Sequence, residues 1–361
     1  MMTKELPFFV AFSHIRGIGP VRFRKLLGVF GSAFSAWNAP FLDLQEALGE
    51  SLARQVVSFR ESTDPEKLCN DVLREGIRVI TWEDEEYPPL LHTISHPPFL
   101  LYVEGDFSFL EYERYVAIVG TRRPTPYGKR AARFFARGLA QEGWVVVSGL
   151  ALGIDGEAQR SVVEGGCPTV AVLGSGLRRV YPRVHLSLSR EILEKGGAIV
   201  SEYPPFAEPR PEHFPLRNRI IAGLSLGVVV IEAPRKSGAL ITANLALEGG
   251  REVMAVPGPI FSPQSEGTNA LIAQGAKPVQ SVTDVLEAFG ILKDRVQLKE
   301  EELPLSGEEE TLLSLIDYIG VFKEELLEKT GWGEGEFFKV LLALEMKGLV
   351  EEIPGGKVAR R

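Results

Sequence analysis

Apolar residues along this chain change their spacing at three places. Over residues 1–60 they recur at helical intervals, broken once in HIRGIGPVRFRKLLGVFG. Gly17, Gly19 and Pro20 disfavour a helix interior, so two short helices joined by a tight turn are expected there. Between residues 65 and 290, short apolar runs alternate with segments of helical length such as YGKRAARFFARGLAQEG. IRVIT (77–81), YVAIV (115–119), WVVVS (144–148), TVAVL (169–173), GAIVS (197–201), GVVVIE (227–232) and EVMAV (252–256) each read as a buried strand. Near-continuous apolar strands alternating with helices predict an α/β core, a parallel sheet covered on both faces. Residues 291–310 read as a charged linker with little to bury. Residues 311–361 return to helical spacing and close on EEIPGGKVARR, a two-stranded wing turned at Gly355–Gly356. Three helices and a small hairpin outline a winged-helix module.

Composition adds limits. With 361 residues, 45% hydrophobic and 24% charged, the chain has the make-up of a globular protein of two or three domains. Apolar runs such as Val228–Ile231 fall far short of the ~20 residues of a membrane helix, and no cleavage site follows the N-terminal MMTKELPFFVAF. Cys69 and Cys167 stand alone, which suggests neither a disulfide framework nor a thiolate metal site. A cytoplasmic location with no membrane partner is the expectation.

Charge changes the picture more. The formal total is −8, yet Arg114 to Lys236 holds 18 Lys/Arg against 10 Asp/Glu, a local +8 that leaves −16 for the rest. A basic centre inside an acidic chain points to a polyanion.

The basic residues gather where strands end. YVAIV is followed by GTRRPTPYG, WVVVS by GLALGIDGEA, TVAVL by GSGLRRVYP and GVVVIE by APRKSGALITAN. In an open parallel sheet ligands bind beyond the carboxyl ends of the strands. Glycine there lets backbone N–H groups approach an anion, and the next helix adds its positive end. This reading selects Gly120, Thr121, Arg122, Arg123, Ser148, Gly149, Gly153, Gly174, Ser175, Gly176, Lys236, Ser237 and Gly238, with Arg178, Arg179, Arg183, Arg217, Arg219 and Arg235 nearby.

FPLRNRIIAG (214–223) poses a choice. With a helix running from Leu216 to Leu226, Arg217 and Arg219 fall in its first turn, where cations oppose the macrodipole. Either a bound phosphate or a carboxylate such as Glu202 or Glu232 resolves the conflict. Phe214, Tyr181 and Tyr127 are candidates for base stacking, and packing explains Phe214 equally well.

Several chemistries lack their residues. The chain has no GxxxxGK[ST], and the dinucleotide-binding GxGxxG with its ribose-binding acid is not matched, since the next acid after GTRRPTPYG is Glu142, late in the helix. Five scattered histidines form no HxxxH or HxE cluster, and no serine has a GxSxG context. Asp155 in GIDG reads as a base or as a cap of the helix starting near Gly156.

Eight motifs in a fixed order now support a resemblance. YPPLL (87–91), PPFLLYVEGD (97–106), VAIVGTR (116–122), VVSGLALGIDGEA (146–158), VLGSGLRRVYP (172–182), FPLRNRIIAGLS (214–225), SGALITANLALEGGREVMAVPG (237–258) and EGTNALIAQGA (266–276) make residues 85–290 resemble the DNA-processing protein A family (DprA, also called Smf) of natural transformation. The resemblance implies an extended Rossmann-like domain that binds single-stranded DNA and forms a homodimer; from the missing motifs above, no cofactor or metal is expected. It also implies that the protein protects incoming strands and loads the RecA recombinase, displacing single-strand-binding protein. Carried over by motif, Arg122, Gly174–Ser175–Gly176, Arg217, Asn218, Arg219 and Ser237–Gly238 line the DNA groove, with Arg183 at a position that is often basic. One departure is visible: Gln159 stands where the family usually has His.

The outer segments have likenesses too. Residues 1–60 resemble a helix-hairpin-helix or SAM-like module with GIGP at its hairpin, and residues 311–361 resemble the winged helix of many members. The latter is acidic on its early helices, which favours a protein contact over a strong DNA contact.

The rival is a nucleotide phosphoribohydrolase-like enzyme of related Rossmann type. Such enzymes carry a catalytic Glu just after a Gly-rich turn, whereas SGALITAN has no carboxylate before Glu248. A transcription factor would rest on the winged helix alone and leave the basic strand ends unexplained. The expectation is a non-enzymatic single-stranded DNA-binding protein.

Overall fold

Nine strands build the central sheet of the computed structural model, which describes residues 4–107, 114–291, 305–317, 320–353 and 355–360. They are β1 (Arg78–Thr81), β2 (Leu100–Gly105), β3 (Tyr115–Val119), β4 (Val145–Ser148), β5 (Thr169–Val172), β6 (Ala198–Ser201), β7 (Gly227–Val230), β8 (Glu252–Ala255) and β9 (Lys277–Pro278). Their spatial order is β1-β2-β6-β5-β4-β3-β7-β8-β9. The chain runs outward from β3 to β6, then crosses back to β7 on the other flank of β3, so the sheet is doubly wound. All seven expected runs form strands within a residue or two. Every residue of β3, β5, β6 and β7 is buried, which is why those segments read as unbroken apolar runs.

The sheet departs from the expected parallel pattern at one edge. β2, absent from the expected strands, pairs antiparallel with both β6 and β1. It turns an edge of the parallel sheet into a mixed one.

The N-terminal segment contains six helices, Leu6–Ser13, Pro20–Phe30, Ala33–Asn38, Phe41–Leu48, Glu50–Ser62 and Pro65–Arg74. Gly17, at φ 94°, makes the expected break between the first two. These helices run past residue 60 and share a core with the sheet edge. Phe23 stacks on Phe99 with ring centroids 4.1 Å apart, and the Ser13 hydroxyl lies 2.6 Å from the Tyr102 hydroxyl on β2. Residues 1–291 accordingly form one compact unit.

The described residues from 305 onward form a second unit. Helices Gly307–Leu315, Lys323–Thr330 and Glu334–Met346 surround a core of Leu312, Leu326, Phe337, Leu341 and Leu344. The first opens on a capping box between Ser306 and Glu309. The wing pairs β11 (Val350–Ile353) with β12 (Lys357–Arg360), and β10 (Val321–Phe322) joins as a third strand. Most of the predicted linker, residues 292–304, lies outside the described residues. Among the described residues no helix is long and apolar enough to cross a membrane.

Candidate nucleic-acid interface

The loops after β3, β4 and β5 converge with the helix that follows β6. Arg122, from the first loop, holds its guanidinium 5.6 Å from the centre of the Phe214 ring. The Tyr181 ring, from the third, stands 5.5 Å from Phe214. A cavity of about 40 Å³ lies among Arg122, Gly149, Leu152, Tyr181, Phe214 and Arg217. Tyr181 is 47% exposed and Phe214 half-buried, so the aromatic pair faces solvent beside an exposed arginine.

Helix His213–Leu224 begins earlier than expected. Pro215 is tolerated in its first turn because the N–H groups there have no intrahelical partner. Arg217 and Arg219 therefore lie in its second turn, one step further from the dipole's positive end.

The two arginines then divide. Arg217 is 3% exposed and lies beneath the crevice, where Nη1 donates to the carbonyls of Gly149 (2.7 Å) and Val172. Burial pulls its pKa down to about 10, opposed by nearby Asp155. Arg219 pairs with Glu202, one of the two carboxylates anticipated. The other, Glu232, accepts instead from the Thr125 hydroxyl at 2.5 Å and the Thr125 N–H at 2.9 Å, fixing the start of helix Pro126–Gln141. Asn218 reaches across to the Gly238 carbonyl, Nδ2 to O 3.3 Å.

Most of the expected glycines are explained by close packing. A Cβ on Gly174 would sit 2.8 Å from the Phe214 ring, one on Gly149 2.6 Å from the Arg217 guanidinium, and one on Gly153 2.3 Å from the Thr121 carbonyl. On Gly120 it would meet Ile154 at 2.5 Å, and on Gly176 the Pro204 carbonyl at 2.1 Å. Gly238 is different, with nothing within 4 Å. It opens helix Gly238–Glu248 beside exposed Lys236, and Ser237 caps that helix through the Ala239 N–H.

The serines of the turns also lie below the surface. Ser148 donates to Ile118 O at 2.7 Å and Ser175 to Arg179 O at 2.7 Å. Thr121 is buried, and its hydroxyl accepts from the Arg123 N–H. Two further arginines named near the strand ends are held in ion pairs, Arg178 with Glu75 and Glu104, and Arg179 with Glu208. Arg123, Arg183, Arg235 and Lys236 are exposed and carry no ion pair among the described residues. Exposed cations and solvent-facing rings thus form the surface, over a buried polar layer.

That buried layer holds residues the sequence did not assign. Helix Ile154–Glu164 starts before Gly156, and Asp155 does not cap it; its Oδ2 accepts the Gly149 N–H at 3.1 Å. Desolvation raises the Asp155 pKa, partly offset by Arg217. Gln159 is fully buried and bridges two backbones, accepting from Leu150 N and donating to Val170 O, each at 3.0 Å. Glu248 closes its helix ten residues from Gly238, ~15 Å along the axis, so it faces away from the strand ends. Among the described residues no group of three His, Cys, Asp or Glu is placed to hold a metal.

Known proteins share this architecture. Residues 78–290 match the family described as DNA recombination-mediator protein A, and residues 297–356 match the DprA winged helix domain. The DNA processing protein DprA of Bacillus subtilis is 44% identical over 213 residues, 59% of this chain and 71% of that one. The crystal structure of DNA processing protein A from Streptococcus pneumoniae superposes with a TM-score of 0.69 at 34% identity, covering 79% of this chain and 98% of that one. DNA processing protein A of Helicobacter pylori, described for its single-stranded DNA binding mode, gives a TM-score of 0.53 at 34% identity over 58% of this chain and 94% of its own. The chain belongs to the DNA recombination-mediator protein A family.

Proposed function

We propose that this protein binds single-stranded DNA along the ends of β3, β4, β5 and β7 and acts in recombination without catalysing a reaction. The observation that carries this is the Arg122–Phe214–Tyr181 group. A duplex hides the faces of its bases, and only an unpaired strand can stack them on exposed rings while its phosphates meet adjacent cations. Arg123, Arg183, Lys236 and the open amide end at Gly238 extend the positive track on either side. The single-strand binding described for the Helicobacter pylori relative supports the same reading.

Family membership supports a finer role as part of this proposal. The protein would act as a homodimer in the cytoplasm, protect strands entering by natural transformation, and load RecA while displacing single-strand-binding protein. A mediator of this kind needs a reversible grip, which exposed cations and stacking provide.

Fluorescence anisotropy of labelled oligo-dT and a matched duplex across a salt series tests the reading. Single-strand preference is expected, with log K falling by about 0.7 per neutralised phosphate per log unit of salt. An Arg122→Ala/Arg123→Ala variant should bind more weakly with a shallower slope. Equal affinity of wild type and variant, or a preference for duplex, would overturn the assignment.

A further inference from the structure

Leu150 is the one non-glycine residue at positive φ among the described residues, at φ 53°. A leucine adopts this left-handed conformation rarely, so something must hold it there. It lies two residues beyond β4, in the turn whose Gly149, Ala151 and Leu152 line the cavity under Arg122 and Phe214.

Four buried side chains from three separate elements grip this turn, two of them from helix Ile154–Glu164. Gln159 Oε1 accepts from Leu150 N at 3.0 Å, and His185 Nδ1 lies 2.9 Å from Leu150 O. A carbonyl can only accept, so Nδ1 is the protonated nitrogen of that ring. One residue earlier, Asp155 takes the Gly149 N–H and Arg217 takes the Gly149 carbonyl. Every backbone polar group of the dipeptide is therefore held by a side chain. Exposure of the four lies between 0% and 7%.

The turn is also coupled to the proposed DNA surface. Gly153 packs so closely that a Cβ would sit 2.8 Å from the Arg122 backbone, and Ile154 N donates to Thr121 O at 3.1 Å. Arg217, on the same helix as Phe214, reads the position of Gly149 directly.

We propose that the Gly149–Leu150 turn is a clamped support that sets Arg122 and Phe214 for the strand, and that Gln159 and Arg217 are positioning residues acting through it. This rests on the reading that the crevice binds single-stranded DNA. It assigns Gln159 a structural part in binding, and it places the influence of Arg217 beneath the strand.

A glycine rescue tests it, because glycine enters the left-handed region without a clamp. Oligo-dT affinity is measured for wild type, Gln159→Met, Leu150→Gly, the double variant and Arg122→Ala, with thermal unfolding of each. Gln159→Met should lower affinity about tenfold, ~1.4 kcal/mol. Adding Leu150→Gly should restore it to within about threefold (~0.7 kcal/mol) of wild type while the melting temperature stays low.

A purely structural Gln159 would give a double variant no better than the single one, or a single one with unchanged affinity, and either result overturns the proposal. Should Gln159→Met not fold, Gln159→Asn, shorter by one methylene, goes through the same series. Equal binding by wild type and Arg122→Ala would remove the site itself, a failure distinct from that of the clamp.

Discussion

Asp155 and Arg217 hold opposite ends of one peptide residue: the carboxylate takes the N–H of Gly149 and the guanidinium takes its carbonyl. Both side chains are buried, with 6% and 3% exposure. A buried charge that loses its counterpart is among the larger single destabilisations available to a fold.

Arg217→Ala should therefore cost about 3–5 kcal/mol of stability. Arg122→Ala, at an exposed guanidinium, should stay within about 0.5 kcal/mol of wild type. Urea unfolding of both variants checks the contrast, and comparable stabilities would refute it.

Tyr181 offers a sharper test of stacking than Phe214, whose ring also packs against Gly174. Tyr181→Ala should weaken oligo-dT binding by about 1–3 kcal/mol. Tyr181→Phe should retain most of it, since the ring rather than the hydroxyl meets the base. Parallel anisotropy titrations distinguish the two.

Glycines at the strand ends divide by what surrounds them. Gly176→Ala would drive a methyl into the Pro204 and Pro205 carbonyls, 2.1 and 2.2 Å away, and should destabilise by about 1–3 kcal/mol. Gly238→Ala enters open space and should leave the melting temperature nearly unchanged. A loss of DNA affinity in that second variant would mark close approach of the strand to the helix end.

The winged-helix unit should be acid-sensitive through Glu309. Its carboxylate lies 2.7 Å from Lys347 Nζ and accepts the Ser306 N–H, and these contacts hold its pKa below the ordinary 4.5. Because the folded value is the lower one, the stabilisation is complete above 4.5 and is lost as pH falls through the folded value. Urea unfolding followed by the methyl signals of Leu312 and Leu344 between pH 6 and 3 should show wild-type stability falling once the pH drops below 4.5. Glu309→Gln should begin less stable and respond less to pH over that range.

Much of the α/β core was legible because both faces of its sheet are covered. β7 needs only the β-branched run Val228–Val230 to declare itself. β2 escaped because Leu100–Gly105 ends in Glu104 and Gly105 and follows two prolines, so its short apolar run looked like a loop. β9, two residues long, has no period to detect.

At the site, residue type was more legible than depth. RNR at 217–219 announces charge, but nothing local says that one arginine points under the sheet ends. That follows from carbonyls 68 and 45 residues away. The ion pairs of Arg178 and Arg179 were equally invisible, since Glu75, Glu104 and Glu208 come from segments with no pattern linking them to the turn. Gln159 looked like a departure from the family and proves to be a backbone bridge.

The β9 end of the sheet has a consequence for assembly. β9 consists of Lys277–Pro278, and a proline has no N–H to donate. A second copy arriving there would find almost no ladder to extend, so association by strand addition is blocked on that side. Copies meeting on that side would have to do so through side chains on helices and loops, contacts that part again without unzipping a sheet.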